Sequence, residues 1–332
     1  MKTTTTLAPL LQAFFIERLI RQRDASAHTI ASCRDTFRLL LNFAQERLKK
    51  APSSLDVGDL DVPFVASFLN YLEESRGNSA RSRNVRLAAI HSFFRYVALR
   101  EPMHSELAQR VLSIPTKRYK QREIEFLTLR EVDALLGAPD DKIWGGRRDR
   151  ALLIVAVQTG LRVSEVIGLR CRDIVFGECP YVQCVGKGRK ERRTPLRRDT
   201  IDVLRRWLAE QCGTPDSPLF PNARGGHLSR DGVAYLIAKH VVTAERSCHS
   251  LSDKRVTPHV LRHTAAMALL QSGVDRSIIA LWLGHESVNT TEVYLHADIR
   301  LKEEALNKTI PASVKPGRYR PVDSIMAFLQ RL

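Results

Sequence analysis

The chain has 332 residues, 44% of them hydrophobic, enough for two domains that each bury a core. Lys and Arg number 52 against 36 Asp and Glu, a formal charge of +16. Such an excess favours a polyanionic partner, because each neutralised phosphate releases condensed counterions. No apolar run approaches the ~20 residues of a membrane-spanning helix, so no membrane partner is expected.

The first residues read as an amphipathic helix with Leu10, Leu11, Phe14, Phe15 and Leu19 on one face. Gln12 and Glu17 interrupt the apolar stretch and no small-residue cleavage site follows, which argues against a secretory leader. Ser26 caps a second helix running to about Leu48, with Leu39, Leu40, Phe43 and Ala44 as its stripe. Pro52 to Gly58 is a loop, and Asp61 caps a third helix carrying Phe64, Phe68 and Leu72. Gly77 ends it. A fourth helix spans Asn78 to about Leu99, basic in its first half (Arg81, Arg83, Arg86) and apolar in its second (Ile90, Phe93, Phe94, Tyr96). The basic half is either a solvated face or a helix end laid on DNA phosphates.

From Glu101 to Gln121 the periodicity weakens. Pro102, Pro115 and the run Lys117, Arg118, Tyr119, Lys120 read as an exposed basic linker, one that tracks a DNA backbone or is merely solvated. Thr128 and Glu131 fit a capping box for a helix through Leu136, and a buried helix follows over Arg148 to Gln158. The one β region comes next: Asp173 to Phe176, Tyr181 to Val185 and Arg192 to Leu196, with turns at Gly177 and at Gly186-Lys187-Gly188. Helices resume at Asp199. The division expected is a helical domain over 1–100, a basic linker over 101–125, a second domain over 126–310 and a tail over 311–332.

Six cysteines (Cys33, Cys171, Cys179, Cys184, Cys212, Cys248) form no CxxC pair, so they read as reduced thiols in a cytoplasmic protein rather than as metal ligands. Four other patterns carry chemistry. In Thr159-Gly160-Leu161-Arg162-Val163-Ser164-Glu165 a buried helix ends at Gly160, and Arg162 is held between two helix ends or simply pairs with Glu165. In Gly186-Lys187-Gly188-Arg189-Lys190-Glu191 a lysine sits on a hairpin tip, where it either reaches into a groove or is solvated. In Thr257-Pro258-His259-Val260-Leu261-Arg262-His263-Thr264, Pro258 suits a first helical turn, and His259 and Arg262 share a face. In Leu281-Trp282-Leu283-Gly284-His285, Gly284 stops a helix, and Tyr294 follows nine residues after His285. Each pattern is weak alone.

Taken in order, from Arg162 through Lys187, His259-x-x-Arg262 and Gly284-His285 to Tyr294, the sequence resembles the tyrosine recombinase (phage integrase) family, which includes Xer-like and transposon-encoded recombinases. The resemblance runs from about residue 7 to 310. The first domain adds Ser79-Ala80-Arg81-Ser82-Arg83-Asn84 and Ile90-His91-Ser92-Phe93-Phe94-Arg95-Tyr96. It implies a mainly α fold with a small antiparallel sheet: a helical SAM-like core-binding domain followed by the catalytic domain.

It also implies that Tyr294 attacks a phosphodiester to form a 3′-phosphotyrosyl bond. Arg162 and Arg262 would fork the phosphate, Lys187 would protonate the leaving 5′-oxygen, His259 would assist proton transfer, and His285 would bond the phosphate or seat the nucleophile. His263 and His296 fit no catalytic position and read as packing or phosphate-adjacent residues, mostly structural. Arg81, Arg83, Arg86, Lys117, Arg118, Lys120, Arg189 and Lys190 are candidate DNA contacts. No metal and no cofactor is implied. The partners implied are double-stranded DNA and further copies of the chain in a tetrameric synapse, possibly with related recombinases, in a nucleoid-associated protein. The tail is expected to pass to a neighbouring protomer. A mobile-element recombinase is the reading preferred over resolution of chromosome or plasmid dimers and over type IB topoisomerase-like relaxation.

Overall fold

The computed structural model describes residues 5–119, 124–186, 191–211, 213–284 and Tyr294. It divides into two compact units, Met1–Gln121 and Arg122–Leu332. Among the described residues no helix is long and apolar enough to cross a membrane.

Apart from one isolated bridge between Thr6 and Asp56, the regular elements described in the first unit are helices. Helix α1 (Leu7–Ala13) runs on as π-type turns over Phe14–Gln22. Helices α2 (Ala27–Leu48), α3 (Val62–Glu74) and α4 (Ala80–Arg100) follow. Each of these three starts where a short polar side chain satisfies an orphan amide. Ser26 accepts from Thr29 N–H at 3.2 Å, Asp61 from Phe64 N–H at 2.9 Å, and Ser79 from Ser82 N–H at 3.3 Å. The core centres on Phe14, Phe37 and Phe93, whose rings meet edge to face at 5.3–6.1 Å.

One element departs from the sequence expectation. Helix α5 (Ser105–Leu112) lies where only a basic linker is expected. Ala108, Val111 and Ile114, spaced three apart, bury themselves in the core of this unit, so the chain up to residue 114 belongs to the fold. Eight residues are too few for a helix to stand alone; it is packing on α3 and α4 that orders this one.

The second unit packs α6 (Leu129–Gly137), α7 (Trp144–Thr159), α8 (Val163–Gly168), α9 (Arg198–Glu210), α10 (Arg230–Ala244), α11 (Pro258–Gln271) and α12 (Arg276–Leu283) beside a three-stranded antiparallel sheet. The strands are β1 (Ile174–Val175), β2 (Tyr181–Val185) and β3 (Glu191–Pro195). The capping box at α6 forms in full, with Glu131 N–H on Thr128 Oγ1 at 3.3 Å and Thr128 N–H on Glu131 Oε2 at 2.8 Å. Helix α7 is buried along most of its length and carries α9 and α11 against it. In the β2–β3 pair Cys184 faces Arg192 and Val182 faces Thr194. Cys184, Val182 and Thr194 are all buried, so Arg192 sits on the inward face of its strand.

Candidate active site

Two helix ends make the floor of the site. Helix α7 terminates at Gly160, with φ +63°, and α12 at Gly284, with φ +66°. Both are left-handed ends that favour glycine. Space demands glycine as well: a Cβ on Gly160 would come within 2.6 Å of Leu283 Cδ2 and 3.1 Å of Ala265 Cβ, and one on Gly284 would land on Arg192 Nη1. The last carbonyls of a helix carry no intrahelical partner and the negative end of its dipole, so they suit guanidinium groups.

Three arginines use them. Arg262, on α11 and only 5% exposed, donates Nη1–H to Gly160 O at 2.6 Å and Nη2–H to Leu283 O at 2.7 Å. Arg162, at the start of α8, donates Nη2–H to Gly284 O at 3.1 Å and Nη1–H to Glu165 Oε1 at 2.9 Å. Its own backbone N–H is capped by Glu165 Oε2 at 2.7 Å. Arg192 on β3 donates Nη1–H to Leu283 O at 2.8 Å and Nη2–H to Glu165 Oε2 at 2.7 Å. Burial, reinforced by the neighbouring Arg162 charge, brings Arg262 down to about 10. It stays charged at neutral pH.

Tyr294 lies beside this cluster in an apolar pocket of Ala266, Met267, Leu270, Ile279 and Leu283, and is itself 3% exposed. Its hydroxyl oxygen is 3.1 Å from His263 Nδ1, and the two rings meet edge on at 5.5 Å. Burial pushes the phenol above its ordinary value, against the pull of the Arg262 and Arg162 charges. His263 is brought down to about 4, by burial first and then by the His259 and Arg262 charges, so its ring is neutral at pH 7.

Of the residues singled out from sequence, Arg162, Arg262 and Tyr294 gather at this site. His259 is exposed on the first turn of α11, capped by Thr257, which accepts from Val260 N–H at 3.3 Å. Lys187, His285, His296, Arg189, Lys190 and Lys120 lie outside the described residues, as does the tail 311–332. Among the candidate DNA contacts, Arg81 and Arg118 are exposed. Arg83 is buried instead and donates to Pro115 O at 3.1 Å, with Glu73 nearby. Arg86 donates to Ser32 O and Thr36 Oγ1. Lys117 pairs with Glu73 at 2.6 Å.

Sequence reasoning missed two residues. Arg192 announces itself only through the strand's alternation, which puts it on the face of Thr194. His263 reads as packing, yet it falls on the stripe of α11 that includes Met267 and Leu270, the face turned to Tyr294.

Residues 125–300 match the Phage integrase family, and residues 13–101 match its N-terminal SAM-like domain. The integrase/recombinase y4rC of Sinorhizobium fredii is 55% identical over 332 residues, covering 100% of each chain. Tyrosine recombinase XerC of Pelobacter propionicus is 32% identical over 314 residues, 93% of this chain and 99% of that one. Among solved structures, the XerH site-specific recombinase in its post-cleavage complex superposes with a TM-score of 0.68 at 24% identity, over 86% of this chain and 81% of that chain. The Tn1549 transposon integrase superposes with a TM-score of 0.67 at 15% identity, over 90% and 99%. These two share the fold. Half the length in one family match and end-to-end identity with a named recombinase settle the kinship: the chain belongs to the phage integrase family of tyrosine recombinases, enzymes that cleave and rejoin DNA through a phosphotyrosine intermediate.

Proposed function

We propose that this recombinase serves a mobile element, cutting and rejoining duplex DNA at a specific site through a 3′-phosphotyrosyl link to Tyr294. The observation that carries the assignment of Tyr294 is its place beside Arg162 and Arg262, whose forks converge on two helix ends. The transposon integrase that shares the fold was solved with circular intermediate DNA, and the XerH neighbour with its difH substrate. The integrase/recombinase relative at 55% identity stands above the Xer relatives at 32% and below, which favours the mobile element over dimer resolution.

The chemistry balances without an external energy source. Tyr294 Oη bonds to phosphorus as the P–O5′ bond breaks, and the phenolic proton leaves toward the histidines while Lys187 protonates the departing 5′-oxygen. Reversal, with a 5′-hydroxyl attacking, rejoins the strand. An ordinary tyrosine at pH 7 is about three pH units from ionisation, some 4 kcal/mol. Burial adds to that in the described state, so Tyr294 rests as a phenol and is activated only with the phosphate in place. The two arginines meet the charge built on the non-bridging oxygens, each contributing roughly 3–4 kcal/mol if removed singly.

In this reading the first unit contacts DNA through the exposed start of α4 at Arg81, four protomers assemble, and residues 311–332 pass to a neighbour. Deleting 311–332 weakens synapsis more than single-protomer binding; unchanged recombination would count against the exchange. The test of the whole reading is a nicked suicide duplex carrying the element's end, incubated in EDTA. Wild type leaves a protease-sensitive DNA adduct and Tyr294→Phe leaves none. An adduct from the variant moves the nucleophile elsewhere. Relaxation of a plasmid lacking any special site would replace the recombinase reading with a topoisomerase one.

A further inference from the structure

We propose that Arg192 is a positioning residue for the cleavage step, holding the phosphate-binding arginines in register by bridging β3 to Glu165 and to the end of α12. The inference rests on the reading of Tyr294, Arg162 and Arg262 given above.

The geometry is specific. Glu165 presents two oxygens, and each is shared between Arg162 and Arg192: Oε1 by the two guanidiniums, Oε2 by the Arg162 backbone and the Arg192 guanidinium. Oε1 accepts from Arg162 at 2.9 Å and from Arg192 at 3.3 Å; Oε2 accepts from the Arg162 backbone at 2.7 Å and from Arg192 at 2.7 Å. The carbonyl of Leu283 is shared in the same way, by Arg262 at 2.7 Å and Arg192 at 2.8 Å. Among the described residues, Arg192 is thus the one side chain that meets an acceptor of Arg162 and an acceptor of Arg262 at once. Removing it leaves Glu165 free to turn toward Arg162 alone, and leaves the carbonyls at the end of α12 with Arg262 and Arg162 as their side-chain donors among the described residues.

Stability alone does not account for this arginine. Its side chain is 11% exposed in a cluster of three guanidiniums around one carboxylate, a net +2 among the described residues. Like charges so close repel, and a buried ion pair is often no better than an apolar replacement. The Nε–H of Arg192 is moreover buried with no acceptor among the described residues. An arrangement that spends stability on surplus positive charge fits a site that receives negative charge. A tyrosinate added to a phosphodiester gives a phosphorane bearing two negative charges, which the net +2 offsets. Lysine should substitute only in part, since one ammonium does not span Leu283 O and both Glu165 oxygens as a planar fork does.

The test compares wild type, Arg192→Gln and Arg192→Lys in single-turnover adduct formation on two suicide duplexes. One has the natural scissile phosphodiester. The other has a methylphosphonate there, in which a neutral methyl replaces a charged oxygen and the demand on the arginines falls. On the phosphodiester, Arg192→Gln is expected to be slower by roughly 10- to 100-fold, and Arg192→Lys to recover only part of the loss. On the methylphosphonate the variant-to-wild-type deficit shrinks to below about threefold. A misfolded fraction lowers both rates equally, so the ratio between substrates separates positioning from folding. Equal deficits on the two duplexes, a wild-type rate from Arg192→Gln on the phosphodiester, or no adduct from it on the methylphosphonate each overturn the proposal. An adduct from Tyr294→Phe instead overturns the reading on which it rests.

Discussion

The hydroxyl of Tyr294 lies 3.1 Å from Nδ1 of His263, the residue directly after Arg262. With the ring neutral and its proton on Nε2, the phenol donates to Nδ1. In that tautomer the contact gives the Tyr294 hydroxyl, the proposed nucleophile, a fixed orientation and an acceptor for its proton at the end of an apolar pocket.

Replacing that acceptor should therefore slow cleavage without dismantling the fold. His263→Phe keeps the ring packing but loses the hydrogen bond, and adduct formation should fall roughly 3- to 10-fold. His263→Asn, whose amide oxygen can stand near the place of Nδ1, should recover part of the rate. Equal rates for wild type and His263→Phe in single-turnover assays would reduce the residue to packing.

The same burial predicts a pH dependence of stability. The folded His263 takes a proton only near pH 4, while the unfolded ring does so near the ordinary value of 6.5. Between these values the unfolded chain binds more protons. The stability this group contributes is full above pH 6.5 and is lost as pH falls toward 4, by no more than roughly 3 kcal/mol. Urea melts of wild type should weaken across that window more steeply than those of His263→Phe. Parallel curves would show that the ring is not held neutral.

In the first unit, two arginines of the same helix should behave oppositely. Arg81→Ala, on the exposed side, should lower DNA affinity and reduce the salt slope by about one phosphate contact, with an unchanged melting temperature. Arg83→Ala removes a buried fork from Pro115 O and leaves Glu73 with one cation fewer. It should lower stability by roughly 2–3 kcal/mol in thermal melts. Equal melting temperatures would refute the distinction.

Two left-handed glycines give a further contrast. Gly273, with φ +79°, has open space where a Cβ would go, so Gly273→Ala meets only backbone strain, of the order of 1 kcal/mol. At Gly160 the added methyl also collides with Leu283 and Ala265. Gly160→Ala should lose roughly 2–4 kcal/mol and should lower adduct formation too, because Gly160 O anchors Arg262. Similar melting points for the two variants would contradict the packing argument.

Local signals were legible where local physics decides the outcome. The caps at Ser26, Asp61 and Thr128 fall at the helix starts because a side-chain oxygen reaches an amide three residues on. The glycine stops at Gly160 and Gly284 place two arginine grips for a similar reason. Helix α5 escaped notice because it is short and follows a proline, and packing on α3 and α4 is what orders it. Arg192 escaped because a charged residue in a short strand reads as solvent-facing; only its register against Cys184 shows which way it points. His263 escaped because a histidine beside a motif carries no sign of what packs over it. Each omission concerns a contact between elements, which no local pattern spells out.

The arginines grip backbone carbonyls, so the pocket is measured in helical turns rather than in side-chain lengths. One residue inserted within α7 would swing its final carbonyl by about 100° about the helix axis and empty a grip on Arg262. The same insertion in the loop between α9 and α10 would leave all the grips in place. Chain length is thus tightly constrained in two helices of the catalytic unit, even where their outward side chains are free to vary.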